Sequence, residues 1–436
     1  MENLFSEFNI TSATEWKNQI IKDLKGESYE ELIWHNENGF NVQPFHTTES
    51  LSYKPEPIFT HSNWEITTKA AGQSSEEKNQ SLLLALKSGA TSIEVEESIN
   101  YSKVLNEIEL NYIHSTFIVD ENHLNELSSY LKNKYTLNEL SISLFCKTPK
   151  SENDLSKWYA AIKEFIPFKN IKSVSVNALP HHNHNCHAQY EVALIFSELV
   201  EHLEFQRKNN INILSAPVIK TGVSSDYFVQ IAKLRAIRKI WSLIKNEYNI
   251  DSDVYLIAET SLTNKSISDN YNNLLRTSIE SMAAVAGGCN ELLVNGFDAL
   301  FKTNTSLSKR MSLNQQLILK HESYFDKIAD IGCGSYYIES LTDAIAESAL
   351  TTFKKFEEQG GYFACLNDAV FSREIQLQAN EKLNQLVNLS NISIGVNKFK
   401  NTHEKLKLSN EEIDSLKSLE INNPVLQYEL IHFLNK

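Results

Sequence analysis

Arginine is scarce: only six of the 41 basic residues in this 436-residue sequence are Arg (Arg207, Arg235, Arg238, Arg276, Arg310 and Arg373), and none precedes residue 207. Against 55 acidic residues the formal net charge is −14, which disfavours a nucleic-acid binder, whose footprint is a basic patch and a basic pI. Cysteine is also sparse. The five thiols (Cys146, Cys186, Cys289, Cys333 and Cys365) are an odd number without a Cys-x-x-Cys pair, a pattern that speaks against a disulfide framework and for a reducing cytoplasm. No apolar run approaches the roughly 20 residues needed to span a bilayer. The first residues show neither a secretory nor an Arg-rich transit pattern, so a soluble cytoplasmic protein without membrane contact is expected. No low-complexity tract occurs, and a 42% hydrophobic, 22% charged composition is that of a folded globular chain.

From about residue 90 onward, short apolar or β-branched runs alternate with longer stretches at helical spacing. Strands are expected over 91–96, 115–120, 140–145, 172–178, 210–216, 254–260, 291–296 and, more weakly, 327–330. Eight such runs with helices between them predict an α/β fold of the (β/α)8 TIM-barrel type. In one intervening helix Tyr227, Ile231, Leu234, Ile237, Trp241 and Ile244 make a single apolar stripe behind Ser225 or Asp226 as N-cap. In another, Asp269 or Asn270 caps a helix expected to turn Tyr271, Leu275, Ile279, Met282 and Ala286 inward, ended by Gly287 and Gly288. The first 60 residues differ. A helix from Ala13 to Leu24 precedes a stretch (39–64) with three prolines and no helical period, read as an extended arm that wraps a partner. Residues 61–400 form the barrel and 401–436 a helical tail.

At YNNLLRTSIESMAAVAGG (271–288) and NQQLILKHESYFDKIADIGCGSYYIESLTD (314–343) the sequence closely resembles the methylmalonyl-CoA mutase family. IAKLRAIRKIW (231–241), NGFDAL (295–300), EEQGGYF (357–363) and IGVNKF (394–399) extend the likeness, which runs from about residue 28 to about residue 400. The resemblance implies a barrel built for radical rearrangement of methylmalonyl-CoA to succinyl-CoA, in which adenosylcobalamin carries the hard step and the protein encloses and orients the substrate.

Several elements that the family uses are missing. No Asp-x-His-x-x-Gly motif, which presents the axial ligand to cobalt, occurs before the chain stops at Lys436. The family's Gly-Pro-Tyr-x-Thr-Met-Tyr-x-x-Arg-Pro-Trp segment corresponds to PEPIFTHSNWEI (55–66), which keeps Trp64 but lacks the shielding Tyr and the phosphate-gripping Arg. The family's Tyr-His pair falls on Leu179 and Pro180, whose side chains have no hydrogen to donate to a thioester oxygen. The stretch 146–170, where the carboxylate-binding Arg belongs, has no Arg, and Lys does not replace a planar fork. Together these losses resemble the small, non-catalytic subunit of heterodimeric mutases, without a cobalamin-binding domain. The expectation is that this chain binds no cofactor alone, that adenosylcobalamin sits on the large catalytic subunit as partner, and that its own hold on a CoA ester is doubtful.

Two groups of residues compete for a role at the barrel mouth. HHNHNCH offers His181, His182, His184, Cys186 and His187 in one loop, and imidazoles with a thiolate can bind zinc. Ligands crowded into seven residues rarely surround one ion unaided, so a solvated or interface loop over a vacated site is preferred. Tyr271, Asn272, Asn273 and Arg276 open a helix on the same face and are read as a vestigial mouth that buttresses its loops. Gly334 and Ser335 are a short loop able to cradle phosphate or only to turn. An active mutase barrel that borrows a cobalamin domain from another chain and a metal-dependent barrel enzyme stay open as alternatives.

Overall fold

The computed structural model describes residues 11–36, 39–96, 100–213, 215–300, 305–401, 413, 414, 416, 419 and 422–434. Its parallel strands are β1 (Glu65–Lys69), β2 (Ser92–Glu96), β3 (His114–Ile118), β4 (Ser141–Phe145), β5 (Ile171–Lys172 continuing as Ser175–Asn177), β6 (Val218–Val223), β7 (Tyr255–Thr260) and β8 (Glu291–Leu293). The first half of β5 pairs with β4 and its second half with β6. One strand therefore joins both ends of the row β4-β3-β2-β1-β8-β7-β6, and the sheet closes into the expected (β/α)8 TIM barrel without a free edge.

Helices α2 (Ser75–Lys87), α3 (Glu121–Lys134), α4 (Glu152–Ala161), α5 (Ala188–Lys208), α6 (Tyr227–Glu247), α7 (Asn272–Ala286) and α8 (Ser306–His321) follow β1, β3, β4, β5, β6, β7 and β8; after β2 stands the single turn Tyr101–Val104. Strand residues alternate, as a pleat requires. Ile66, Ile93, Phe117, Ile142, Val176, Ile219 and Leu256 point outward into the helix layer. Glu94, His114, Lys220, Glu259 and Glu291 are buried in the barrel itself.

Six of the eight expected strands are present; two are corrected. No strand covers 210–213, 215 or 216, and the sixth strand is Val218–Val223 instead. Its Lys220 and Gly222 break the apolar pattern, while Ile211 and Ile213 pack as loop residues. Residues 327–330 are not a strand either: Phe325–Lys327 is a 3-10 turn, and Asp330 is held by Arg235. The first strand, β1, had no sequence counterpart, because EITTK carries one strong apolar residue.

Helix α7 requires a third correction. It starts at Asn272, without a side-chain cap from Asp269 or Asn270, and Tyr271, Leu275 and Ile279 are 58%, 65% and 40% exposed rather than inward. Its buried face is Asn273, Thr277, Glu280, Ser281 and Ala284, small and polar groups that let it approach its neighbours. Asp226 does stand at the N-cap of α6, though its side chain makes no cap bond. Helix α7 ends at Gly287 and Gly288; Gly288 adopts φ +80, and a Cβ there would lie 2.5 Å from the Phe59 ring.

That ring belongs to the N-terminal arm. After α1 (Ala13–Asp23), with its Ser12–Glu15 capping box, the chain is not simply extended: a 3-10 turn (Tyr29–Leu32), a short antiparallel pair (Trp34–His35 with Asn41–Val42) and a second 3-10 turn (Thr48–Ser50) precede the segment that crosses the outside of the barrel. Asn36 donates to Asp226 (3.2 Å), the Ile58 amide to Asp330 (2.8 Å), and His61 meets the Gly288 carbonyl (3.1 Å). The long helix α9 (Tyr336–Glu358) forms an outer layer over α5 and α6. Helices α10 (Gly361–Asn367), α11 (Val370–Val387) and α12 (Pro424–Leu434) complete the C-terminal part.

Candidate functional site

A (β/α)8 barrel places chemistry at the C-terminal ends of its strands and fills its axis with side chains. Here the filling is ionic. Near the strand starts, Glu291 of β8 accepts from Thr67 Oγ1 (2.9 Å) and Ser92 Oγ (3.1 Å) and pairs with His114 Nε2 (2.8 Å). Burial opposes the Glu291 charge, but His114 and the two hydroxyls outweigh it and hold the carboxyl below its usual range. The Tyr255 ring stacks on His114 at 5.2 Å, and Lys172 Nζ lies 4.2 Å above Tyr255.

One step along the axis, Lys220 of β6 reaches Glu94 of β2 (2.8 and 2.7 Å) and Glu259 of β7 (2.9 Å). Burial disfavours the ammonium, but the two carboxylates more than compensate and raise its pKa above the usual lysine value. Lys69 binds Glu96 at the rim, and Ile118, Phe145, Val218 and Ile257 pack the remaining interior. These residues were not singled out in the sequence. The available signal was a charge at an inward strand position, as in SIEVE and VIKTGV.

At the mouth, Leu179 and Pro180 open the short helix Leu179–Asn183, so part of the expected His-rich loop is helical. Its histidines do not converge. His182 is buried with Nδ1 3.1 Å from Glu191 Oε2, and Glu191 also receives Lys233 Nζ (2.9 Å) and the Thr221 hydroxyl. Burial raises the Glu191 pKa, yet Lys233 and His182 prevail and push it down to about 2. The His182 ring can approach β6 this closely only because residue 222 is Gly; a Cβ there would fall 2.0 Å from His182 Cδ2. His184 Nδ1 sits 2.6 Å from the Pro180 carbonyl oxygen, and the His187 amide donates to Gln378 (2.8 Å). Burial lowers the His181 pKa to about 4 and raises that of the Cys186 thiol. Among the described residues no three His, Cys, Asp or Glu side chains are grouped to hold one metal ion.

Asn273 donates to the Ser266 (2.8 Å) and Phe297 (2.9 Å) carbonyls and accepts from the Ser266 amide (3.0 Å), joining the loops after β7 and β8. Arg276 donates to Asn273 (2.8 Å) and to the Ile394 carbonyl (2.8 Å), Asn272 to Asp269 (2.8 Å), and Tyr271 stacks on Phe297 at 5.5 Å. Each of these contacts is made to another residue of the same chain. Gly334 and Ser335 lie elsewhere, on the outer side of α6: the Gly334 amide donates to Glu339 (3.1 Å), which with Asp330 clamps the fully buried Arg235.

These features define a TIM-type barrel whose axis is closed by ion pairs and whose outer helices are strapped by an N-terminal arm. Residues 149–423 match the profile of the methylmalonyl-CoA mutase family. The methylmalonyl-CoA mutase small subunit of Porphyromonas gingivalis is 29% identical over 96% of this chain and 75% of its own length. The probable mitochondrial methylmalonyl-CoA mutase of Caenorhabditis elegans is 35% identical over 46% of this chain and 28% of its own. The mitochondrial methylmalonyl-CoA mutase of Mus musculus is 24% identical over 99% of this chain and 67% of its own. The chain belongs to the methylmalonyl-CoA mutase family. No helix among the described residues is long and apolar enough to cross a membrane.

Proposed function

We propose that this chain is the small, non-catalytic subunit of a heterodimeric methylmalonyl-CoA mutase and supports a cobalamin-binding large subunit that interconverts methylmalonyl-CoA and succinyl-CoA. The observation that carries this reading is the pairing of a mouth without a donor at Leu179 and Pro180 with an axis occupied by Lys220, Glu94 and Glu259. A thioester at that mouth meets two aliphatic side chains, and the long arm of a CoA ester entering the axis has to displace a desolvated ion triplet. Separating buried opposite charges costs about 3–5 kcal/mol.

The same reading assigns adenosylcobalamin to the partner. None of the histidines at this mouth lies in an Asp-x-His-x-x-Gly motif, and the ring nitrogen of His182 that Glu191 leaves open, Nε2, is buried against Gly222 rather than presented at the mouth. Likeness to a protein named as a small subunit along 96% of the chain supports a hetero-oligomeric partner. Exposed Leu275 and Ile279 on α7 and Ile318 on the neighbouring α8 offer apolar surface for such a contact.

Co-expression with a cobalamin-binding mutase chain tests this. Size-exclusion chromatography with light scattering is expected to give one 1:1 complex that carries cobalamin. Two separate peaks at micromolar concentration overturn the assignment.

A further inference from the structure

A cavity opens at the C-terminal ends of β1 and β8, between α2 and the start of α8, and has a volume of about 390 Å³. That lies in the range of small-molecule sites. Its lining is unusual for a chain of net charge −14: Lys69, Lys309 and Arg310 contribute to it, and no Asp or Glu does. Lys69 is already bound to Glu96. Neither Lys309 nor Arg310 makes an ion pair or side-chain hydrogen bond among the described residues.

The other five arginines are committed: Arg207 to Glu204, Arg235 to Asp330 and Glu339, Arg238 and Arg276 to carbonyls and asparagines, and Arg373 to carbonyls. Arg310 thus stands apart in a sequence that uses arginine sparingly. The wall beneath the cations is apolar, with Ala85, Leu293 and Leu313. Gln316, 1% exposed, also lines the cavity, and its Oε1 has no hydrogen-bond partner. A buried acceptor left unpaired is costly, and a ligand N–H or O–H can satisfy it.

We propose that this pocket binds a small amphipathic organic anion: an apolar body seated on Leu293 and Leu313, one acidic group held by Lys309 and Arg310, and a nearby N–H or O–H donated to Gln316. The site is separate from the mouth at Leu179 and Pro180 and does not depend on the subunit assignment. Two cations without an ion-pair partner among the described residues, set over an apolar wall, recognise this class better than inorganic phosphate, which has no apolar part to bury.

The probe is 8-anilinonaphthalene-1-sulfonate, which has an aromatic body, a sulfonate and an N–H, titrated into the full-length chain by fluorescence and calorimetry. One equivalent is expected to bind. Lys309→Glu/Arg310→Glu and, separately, Leu84→Glu at the rim should weaken binding by about tenfold or more, while Lys157→Glu on the distant α4 should change it less than about twofold. Thermal denaturation of each variant establishes that the fold is kept. Leu84→Glu, on a side chain that is 63% exposed, gives a second perturbation if the double variant is unstable. Absence of saturable 1:1 binding, or affinity unchanged in the folded variants, overturns the proposal.

Discussion

Replacing Lys220 by Met tests whether the barrel axis is held by charge. The substitution removes the ammonium that binds Glu94 and Glu259 and leaves two buried carboxylates facing each other, with Lys69 Nζ 4.0 Å from Glu94 as the nearest remaining cation. Breaking a buried ion pair by deleting one partner costs about 3–5 kcal/mol. With an unfolding entropy of about 2.1 cal/mol/K per residue, that is a fall in Tm of about 3–6 °C for a chain of this size. The loss should depend on pH. Without Lys220 the carboxylates repel, and at least one has a folded pKa above its unfolded value. Such a group costs stability as pH rises past about 4.3, so the deficit grows from about pH 5 to pH 8 and shrinks on acidification. In the parent protein Lys220 has a raised pKa, so its contribution is fully present below the ordinary lysine value and adds no slope in this window. Combining Lys220→Met with Glu94→Gln and Glu259→Gln should recover most of the loss, because the penalty belongs to unpaired charge. Differential scanning calorimetry across pH measures all three. A single variant within about 1 °C of the parent at pH 8, or a neutral triple variant no better than the single, refutes the reasoning.

Other perturbations read different parts of the fold. Gly222→Ala drives a Cβ into the His182 ring and should destabilise by about 3 kcal/mol, seen as a lower urea midpoint with an unchanged slope. Asn273→Ala leaves the buried Ser266 amide and two carbonyls unpaired and should cost about 2–4 kcal/mol by the same assay. Burial lifts Glu198 to about 8 despite the Tyr362 hydroxyl. Its folded state keeps a proton that the unfolded chain releases above about pH 4.3, so the parent loses stability from there toward pH 8. Glu198→Gln should lack that decline and exceed the parent at pH 8.5 more than at pH 5.5; equal differences at the two pH values rule this out.

The barrel was legible because its outward strand residues are apolar and its helices carry clear stripes, as in α6 with Ile231, Leu234, Ile237 and Trp241. The inward residues misled. A polar interior makes β1 and β6 look like loop, with Lys69 and Lys220 where an apolar residue is expected, whereas Ile211 and Ile213 imitate a strand. On α7 the apolar residues face outward and the barrel contact is made by Ala, Ser, Thr and Asn, a reversal that periodicity alone does not show. The absence of side-chain donors at Leu179 and Pro180 is plain in the sequence. The ion-paired axis behind them depends on which side of each strand a charge falls, and that requires the register. The scarcity of arginine has a structural counterpart as well: Arg235 and Arg238 are buried clamps that tie α6 to Asp330 and Glu339 of the outer layer and to the segments just before β7 and β8, respectively.

Turnover by the assembled pair separates support from catalysis most directly. The cobalamin-binding partner is disabled by giving it Leu and Pro at its thioester-contacting Tyr-His pair and is then assembled with this chain unaltered. If this barrel is a non-catalytic support, succinyl-CoA formation from methylmalonyl-CoA falls to the background of the disabled partner alone, although the 1:1 complex and its cobalamin content are unchanged. Turnover that rises with added chain, and disappears when Lys220 or the mouth at Leu179 and Pro180 is altered, contradicts the account.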